Sequence, residues 1–311
     1  MNSSTITIGA RGSALSVIQA EGVIKALQYK FPRHTFCLKK ITTLGDRTSQ
    51  WQQADVGIFV KELEEALLRK EIDIAVHSLK DMPSALSSGL TLAAVPARED
   101  PRDCVILKEK TTLKKLKRNA CIGTGSLRRS SQLLCVRPDV RIKPIRGNVD
   151  TRIKKLLSGE YDAIVVALAG LKRLGYSVTR KENIFIWPLS FSLMLPACGQ
   201  GALGIEIRSN DTRILPMVRE INDEKSFLCV SAERAFLREF GAGCRIPVGA
   251  LARIKNNELH LEGMVASLDG KKIIRRKTTA ALTYAEGLGK SLARKILKKA
   301  DKEILKEIKA A

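Results

Sequence analysis

The chain has 311 residues, 44% hydrophobic and 28% charged, enough for two or three compact domains with apolar cores and unlike a disordered chain. Its 54 basic against 32 acidic side chains give a formal net charge of +22; an anionic partner is expected, but 5% aromatic residues and no zinc-finger, RNP or basic-zipper pattern set specific nucleic-acid binding aside. No apolar run reaches the length of a membrane span or forms a signal peptide, so no membrane association and a cytoplasmic protein are expected, and seven scattered cysteines read as reduced thiols with no metal site.

Residues 5–8 read as a strand that runs through Gly9-Ala10-Arg11-Gly12-Ser13 into a helix with apolar positions Leu15, Ile18, Val23, Ile24 and Leu27, which Ser13 is placed to cap. Residues 120–122, then Gly123-Thr124-Gly125-Ser126, then 127–134 repeat the device. A second echo follows, because a helix over 61–70 leads into the apolar run 71–77 and a helix over 151–157 into the run 160–166. Uninterrupted apolar strands suit cover by helices on both faces. The first two-thirds is therefore expected to form two similar α/β domains facing a cleft, with ligand-binding loops at the carboxyl ends of the strands. Residues 96–102 read as the hinge and 187–201 as the return crossing.

After Asn222 the pattern changes to a helix over 224–239 and strands over 248–254, 258–265 and 272–279, with Asn256-Asn257 and Asp269-Gly270 as hairpin turns. A long closing helix is expected to present Lys295, Lys298, Lys299, Lys302, Lys306 and Lys309 as a solvated face. This is a small α+β domain with a three-stranded sheet. The expected division is 1–98 with 197–217, then 102–193, then 222–311.

Each strand-to-helix turn offers backbone N–H groups and a serine hydroxyl beside arginine: Arg11 in the first, Arg128 and Arg129 in the second. Arg146, Arg152 and Arg173 join from neighbouring loops, and several guanidinium groups together suit a polycarboxylate. Adjacent like charges at Arg128-Arg129 would be relieved by a bound anion. A polar segment, His77-Ser78-Leu79-Lys80-Asp81-Met82-Pro83, leaves a buried strand; its Asp81 suits binding an N–H donor and stabilising a cationic intermediate, while a surface Lys80-Asp81 pair at a turn is the competing reading. His77 reads as a satisfied strand-end residue. Cys244, flanked by glycines and Arg245, is the most accessible-looking thiol, and the other six read as packing residues.

Eight motifs stand in one order: Thr7-Ile8-Gly9-Ala10-Arg11-Gly12-Ser13-Ala14-Leu15-Ser16, Val60-Lys61-Glu62-Leu63-Glu64, Ala75-Val76-His77-Ser78-Leu79-Lys80-Asp81-Met82-Pro83, Ile122-Gly123-Thr124-Gly125-Ser126-Leu127-Arg128-Arg129, Arg146-Gly147-Asn148-Val149-Asp150-Thr151-Arg152, Ala169-Gly170-Leu171-Lys172-Arg173-Leu174-Gly175, Gly199-Gln200-Gly201-Ala202 and Glu233-Arg234-Ala235-Phe236-Leu237. Over nearly its whole length the chain resembles the porphobilinogen deaminase (hydroxymethylbilane synthase) family. The resemblance implies a transferase of haem biosynthesis with a periplasmic-binding-protein-like pair of α/β domains and a small third domain. It would deaminate four porphobilinogen molecules and join them head to tail on a dipyrromethane cofactor, held by a thioether to Cys244, and release hydroxymethylbilane.

The resemblance also implies the residue roles. Asp81 would be catalytic, stabilising the azafulvene cation left when ammonia departs. Cys244, Lys80, Asp81, Thr124, Ser126, Arg128, Arg129 and Arg146 would hold the cofactor, and Arg11, Ser13, Phe59, Arg146, Arg152 and Arg173 the substrate. Two departures from the family pattern are visible. The loop 43–57 lacks the family's usual lysine, although Phe59 remains available to stack on a pyrrole, and Arg245 follows Cys244 where an uncharged residue is common. A monomer acting on a small molecule is expected. The alternatives are a two-lobed anion-binding protein without catalysis, which would need neither Cys244 nor the third domain, and a nucleic-acid-binding protein using the +22 charge.

Overall fold

A computed structural model describes residues 5–41, 60–176, 184–241, 246–300 and 304–306. The chain begins with β1 (Thr5–Arg11), α1 (Ala14–Lys30), β2 (Thr35–Ile41), α2 (Lys61–Leu68), β3 (Ile74–Ser78) and β4 (Leu90–Ala94). It continues with β5 (Asp103–Leu107), β6 (Cys121–Gly123), α3 (Leu127–Val136), β7 (Arg141–Lys143), α4 (Val149–Leu157), β8 (Ala163–Ala167), α5 (Leu168–Arg173) and β9 (Phe185–Pro188). After β10 (Leu203–Arg208) and α6 (Leu215–Arg219) come α7 (Glu224–Arg238), β11 (Val248–Lys255), β12 (Glu258–Ala266), β13 (Ile273–Ala281) and α8 (Ala285–Leu297). The chain divides into two compact units, Met1–Glu99 with Ala202–Leu228, and Asp100–Gly201 with Cys229–Ala311.

The first unit holds a five-stranded sheet of order β2-β1-β3-β10-β4. β1 runs parallel to β2 and β3, whereas β10 runs antiparallel to β3 and β4. Side chains alternate across β1, so Ile6, Ile8 and Ala10 meet Val23 and Leu27 of α1 on one face. On the other face Leu63 and Leu67 of α2 pack with Ile72 and Ala75. Gly9 points to that second face, where a Cβ would lie 2.4 Å from Ile72 Cδ1, so a larger residue would require the Ile72 side chain to shift. Burying each such Leu or Ile contributes about 1.5–3 kcal/mol, which is why the apolar alternation fixes the register.

The second unit repeats the plan in the order β7-β6-β8-β5-β9. β6 is parallel to β7 and β8, and β5 is antiparallel to β8 and β9. The doubled strand-turn-helix device of the sequence is thus a doubled sheet topology, but each sheet is mixed. Its antiparallel fourth strand comes from a different part of the chain in each copy, β10 in one and β5 in the other. This unit also contains the antiparallel sheet β11-β12-β13. Asn256 and Asn257 both have positive φ, 49° and 59°, as a two-residue hairpin turn between β11 and β12 requires.

Three expectations are corrected. Trp187 and Pro188 belong to β9, paired with Val105 and Cys104, so the return crossing begins after them. The closing helix α8 ends at Leu297 with Lys298 as its cap; Lys298 and Lys299 follow it, and Lys302 and Lys309 lie outside the described residues. Cys37 and Cys135 are exposed, not packed, because Cys37 sits on an outward position of β2, a sheet edge, and Cys135 near the outer end of α3. Among the described residues no helix is long and apolar enough to cross a membrane.

Candidate active site

In the first unit, Arg11 is the last residue of β1 and Ser13 the N-cap of α1, its Oγ accepting the Ser16 N–H at 3.3 Å. β3 lies beside β1 and parallel to it, so the turn after β3 opens at the same edge. That turn is a single 3₁₀ segment, Leu79–Asp81. Buried Leu79 and Met82 clamp it from both ends, and the Leu79 N–H donates to the Ala202 carbonyl at 3.1 Å. Gly204 permits the clamp, since a Cβ there would lie 2.7 Å from Met82 Sδ and 2.8 Å from Leu79 Cδ1. Between the anchors Asp81 is exposed and Lys80 half-buried.

Beneath the turn, buried His77 meets Glu206 of β10 through Nε2 and Oε2 at 2.9 Å, which fits its reading as a satisfied strand-end residue. Ser78 Oγ and the Gln19 side chain exchange hydrogen bonds at 3.1–3.2 Å, tying α1 to the end of β3.

In the second unit, the loops after β6, β7 and β8 leave one edge of the sheet, because the three strands are parallel neighbours. Thr124 is buried, and its Oγ1 accepts the Ser126 N–H at 3.2 Å. Ser126 occupies the N-cap position of α3 but its side chain makes no cap hydrogen bond, unlike Ser13 in the first copy. Arg146, after β7, is exposed. Arg152 donates Nε to the Gly147 carbonyl at 2.7 Å, and Arg173 donates an Nη to the Gly201 carbonyl at 2.8 Å.

Arg128 and Arg129 are buried, and the relief that the sequence reading assigned to a bound anion comes from the protein itself. Asp103, fully buried at the start of β5, accepts Arg128 Nη1 at 2.7 Å and Arg129 Nε at 2.8 Å. Gln200 Nε2 adds a third donor at 3.1 Å. Burial pushes the Asp103 carboxyl up, but Arg128 and Arg129 outweigh it and hold the pKa at about 2. Carbonyls take further donors: Arg128 Nη1 reaches Leu195 at 2.8 Å and Arg129 Nη1 reaches Val165 at 3.1 Å. Arg128 Nε remains buried without a hydrogen-bond partner among the described residues.

Sequence reasoning missed Asp103, Gln200 and Glu206. The available signal was an acidic residue heading the apolar run Asp103-Cys104-Val105-Ile106-Leu107, since a carboxylate there must find a cation as it enters the core. The neighbouring Cys104 thiol is pushed up by burial and by Asp103, which leaves it unreactive. Cys244, Arg245, Phe59 and the loop 43–57 lie outside the described residues.

Two family profiles match the chain: "Porphobilinogen deaminase, dipyromethane cofactor binding domain" over residues 6–216 and "Porphobilinogen deaminase, C-terminal domain" over residues 227–298. This chain belongs to the porphobilinogen deaminase family. Relatives named porphobilinogen deaminase share its full length. The protein from Desulforudis audaxviator is 45% identical over 98% of both chains. Those from Alkaliphilus metalliredigens and Bacillus subtilis are each 43% identical, over 98% of this chain and 96% of theirs. Among solved structures, the BenM effector-binding domain with benzoate aligns with 70% of this chain and 91% of its own at 14% identity and a TM-score of 0.43. Four of the eight motifs, those around residues 9–13, 77–83, 123–129 and 146–152, fall on the strand-end turns just described, whereas those around 60–64, 171–175 and 233–237 lie at the start of α2, at the end of α5 and within α7.

Proposed function

We infer that this member of the porphobilinogen deaminase family deaminates four porphobilinogen molecules and joins them head to tail into hydroxymethylbilane. The observation that carries the reading is the Lys80-Asp81 turn, an exposed acid and its neighbouring cation held on a clamped 3₁₀ segment at the end of β3, in a chain that matches the family's two domains over residues 6–216 and 227–298. Porphobilinogen carries an acetate, a propionate and an aminomethyl group. Loss of ammonia leaves positive charge on the pyrrole and its methylene. The Asp81 carboxylate accepts the pyrrole N–H and faces that charge as it develops, a contact worth more in the transition state than in the ground state. Arg11, Ser13, Arg152 and Arg173, with Phe59, hold the substrate's carboxylates and ring.

The residues after β6 and β7 fit a carboxylate-rich cofactor. Among the described residues Arg128 has a buried Nε without a partner, Ser126 has a hydroxyl not used as a cap, and Arg146 is exposed. In this reading Thr124, Ser126, Arg128, Arg129 and Arg146, with Lys80 and Asp81, hold the dipyrromethane, and Cys244 anchors it as a thioether. When bound, the dipyrromethane supplies the free pyrrole carbon at which the chain grows. Asp103 fixes the arginine pair so that it presents donors without reorganising. The enzyme is taken as a cytoplasmic monomer built of domains 1–98 with 197–217, 102–193 and 222–311.

Intact mass and turnover test this together. The purified protein is expected to carry a covalent dipyrromethane and to convert porphobilinogen to hydroxymethylbilane with ammonia release. Cys244→Ser is expected to fold without the adduct, since a serine alkoxide is far less available than a thiolate near neutral pH. Adduct persisting on the serine variant, or mapping to another cysteine, overturns the anchor; a protein that consumes no porphobilinogen overturns the function.

A further inference from the structure

The sheet β11-β12-β13 has two different faces. Gly263 turns toward α7 and α8, where a Cβ would meet Phe236 and Leu292, so that face is the packed one. On the opposite face Leu251, Met264 and Ala266 pack with Leu195 and Phe191. Beyond them this face becomes charged. Arg253, Glu262, Arg275 and Lys277 share this face, and with Phe191, Ser192 and Arg276, which is paired with Gly263 and folds back on the Arg275 carbonyl along β13, they line an open pocket of about 550 Å³.

Four cationic residues and a single carboxylate therefore line the pocket. Glu262 is buried and occupied: its Oε1 accepts Arg275 Nε at 2.6 Å and lies 3.5 Å from Lys277 Nζ. Arg275 is a strut, because its two Nη atoms donate to the carbonyls of Ser192 at 2.8 Å and Phe191 at 2.6 Å. Arg253 is different. Its guanidinium lies 5.3 Å from the centre of the Phe191 ring and has no carboxylate partner among the described residues. Arg276 gives one N–H to the Arg275 carbonyl at 3.0 Å and likewise meets no carboxylate there. A guanidinium stacked on a ring is held in orientation while its in-plane N–H edges stay available for two-point recognition of an anion. Unbalanced charge around a concave surface favours a ligand with more than one negative group.

We propose that this pocket binds a small oligoanion bearing two or more phosphate or carboxylate groups, with Arg253 and Arg276 as its principal ligands and Lys277 adding charge. None of these residues belongs to the turns assigned to the reaction. The site gives part of the chain's excess of positive charge a local purpose.

Isothermal titration of the full-length, cofactor-loaded enzyme at physiological ionic strength tests the proposal, with tripolyphosphate in one arm and citrate in the other. Saturable one-to-one binding of at least one probe is expected, and the tighter arm tells phosphate from carboxylate chemistry. The double variant Arg253→Ala/Arg276→Ala is expected to lose at least about tenfold in affinity with its turnover unchanged. Arg146→Ala and the charge-matched Lys298→Ala/Lys299→Ala should both stay within about twofold of the parent. Absence of saturable binding in both arms overturns the proposal. So does equal weakening by the lysine pair, which would mark a general field, or loss in Arg146→Ala, which would place the anion at the reaction site.

Discussion

At Asp103 one carboxylate holds two adjacent arginines inside the protein, and two consequences follow. Removing one member of such a buried set leaves charge uncompensated at a cost of about 3–5 kcal/mol, so Asp103→Asn is expected to lower the denaturant midpoint strongly and to impair cofactor assembly. The folded pKa of about 2 lies below the unfolded value, which is about 3.9. The charge contribution is therefore complete above the unfolded value and is lost as pH falls through the folded one. The stability gap between parent and Asp103→Asn should shrink as pH drops from about 4 to about 2, and a gap constant over that window would show that the charge is not what Asp103 contributes. Asp81 is the opposite case, an exposed group that nothing in the core needs. Asp81→Asn keeps an acceptor but not the charge, so single-turnover elongation of the loaded variant should slow at least about a hundredfold with folding intact. Near-normal elongation would reduce Asp81 to a turn residue.

Between elements, close approach decides more than propensity. Gly289 sits in the middle of α8, where alanine would ordinarily gain about 1 kcal/mol. Here a Cβ would stand 2.2 Å from the Ala232 carbonyl oxygen and 2.7 Å from the Phe236 nitrogen of α7, both backbone atoms that cannot swing aside. Overpacking of this kind costs about 1–3 kcal/mol. Gly289→Ala is expected to lower Tm, and a raised Tm would mean that the helices separate freely. The same logic explains the 3₁₀ turn at Lys80-Asp81, whose polar pair is presented because Leu79 and Met82 on either side are drawn against Gly204.

For the molecule as a whole, the net charge of +22 poses the question of field against contact. Screening over about 8 Å at physiological salt confines an exposed lysine's influence, so Lys298→Ala/Lys299→Ala should leave kcat/KM within about twofold of the parent. Arg146→Ala should lower it at least about tenfold. Equal effects in the two variants would make the global field responsible. Arg146 is the cleaner probe than Arg128, whose removal would also unbalance Asp103. The sequence by itself determined the short-range features: the Ser13 cap, the glycine turns, the apolar strands, the Asn256-Asn257 hairpin and the order of motifs that marks the family. These rest on local backbone preference and on side-chain periods of two or 3.6 residues, which a linear reading carries. Only the tertiary structure decided that β10 and β5 enter the two sheets antiparallel and that Ser126, unlike Ser13, leaves its helix uncapped. It alone paired Arg128 with Asp103 across 25 residues, His77 with Glu206 across 129, and Arg253 with Phe191. The reason is physical: a buried charge takes whichever partner the packed layers bring within about 3 Å, and that choice depends on the whole arrangement of strands, not on the residues beside it.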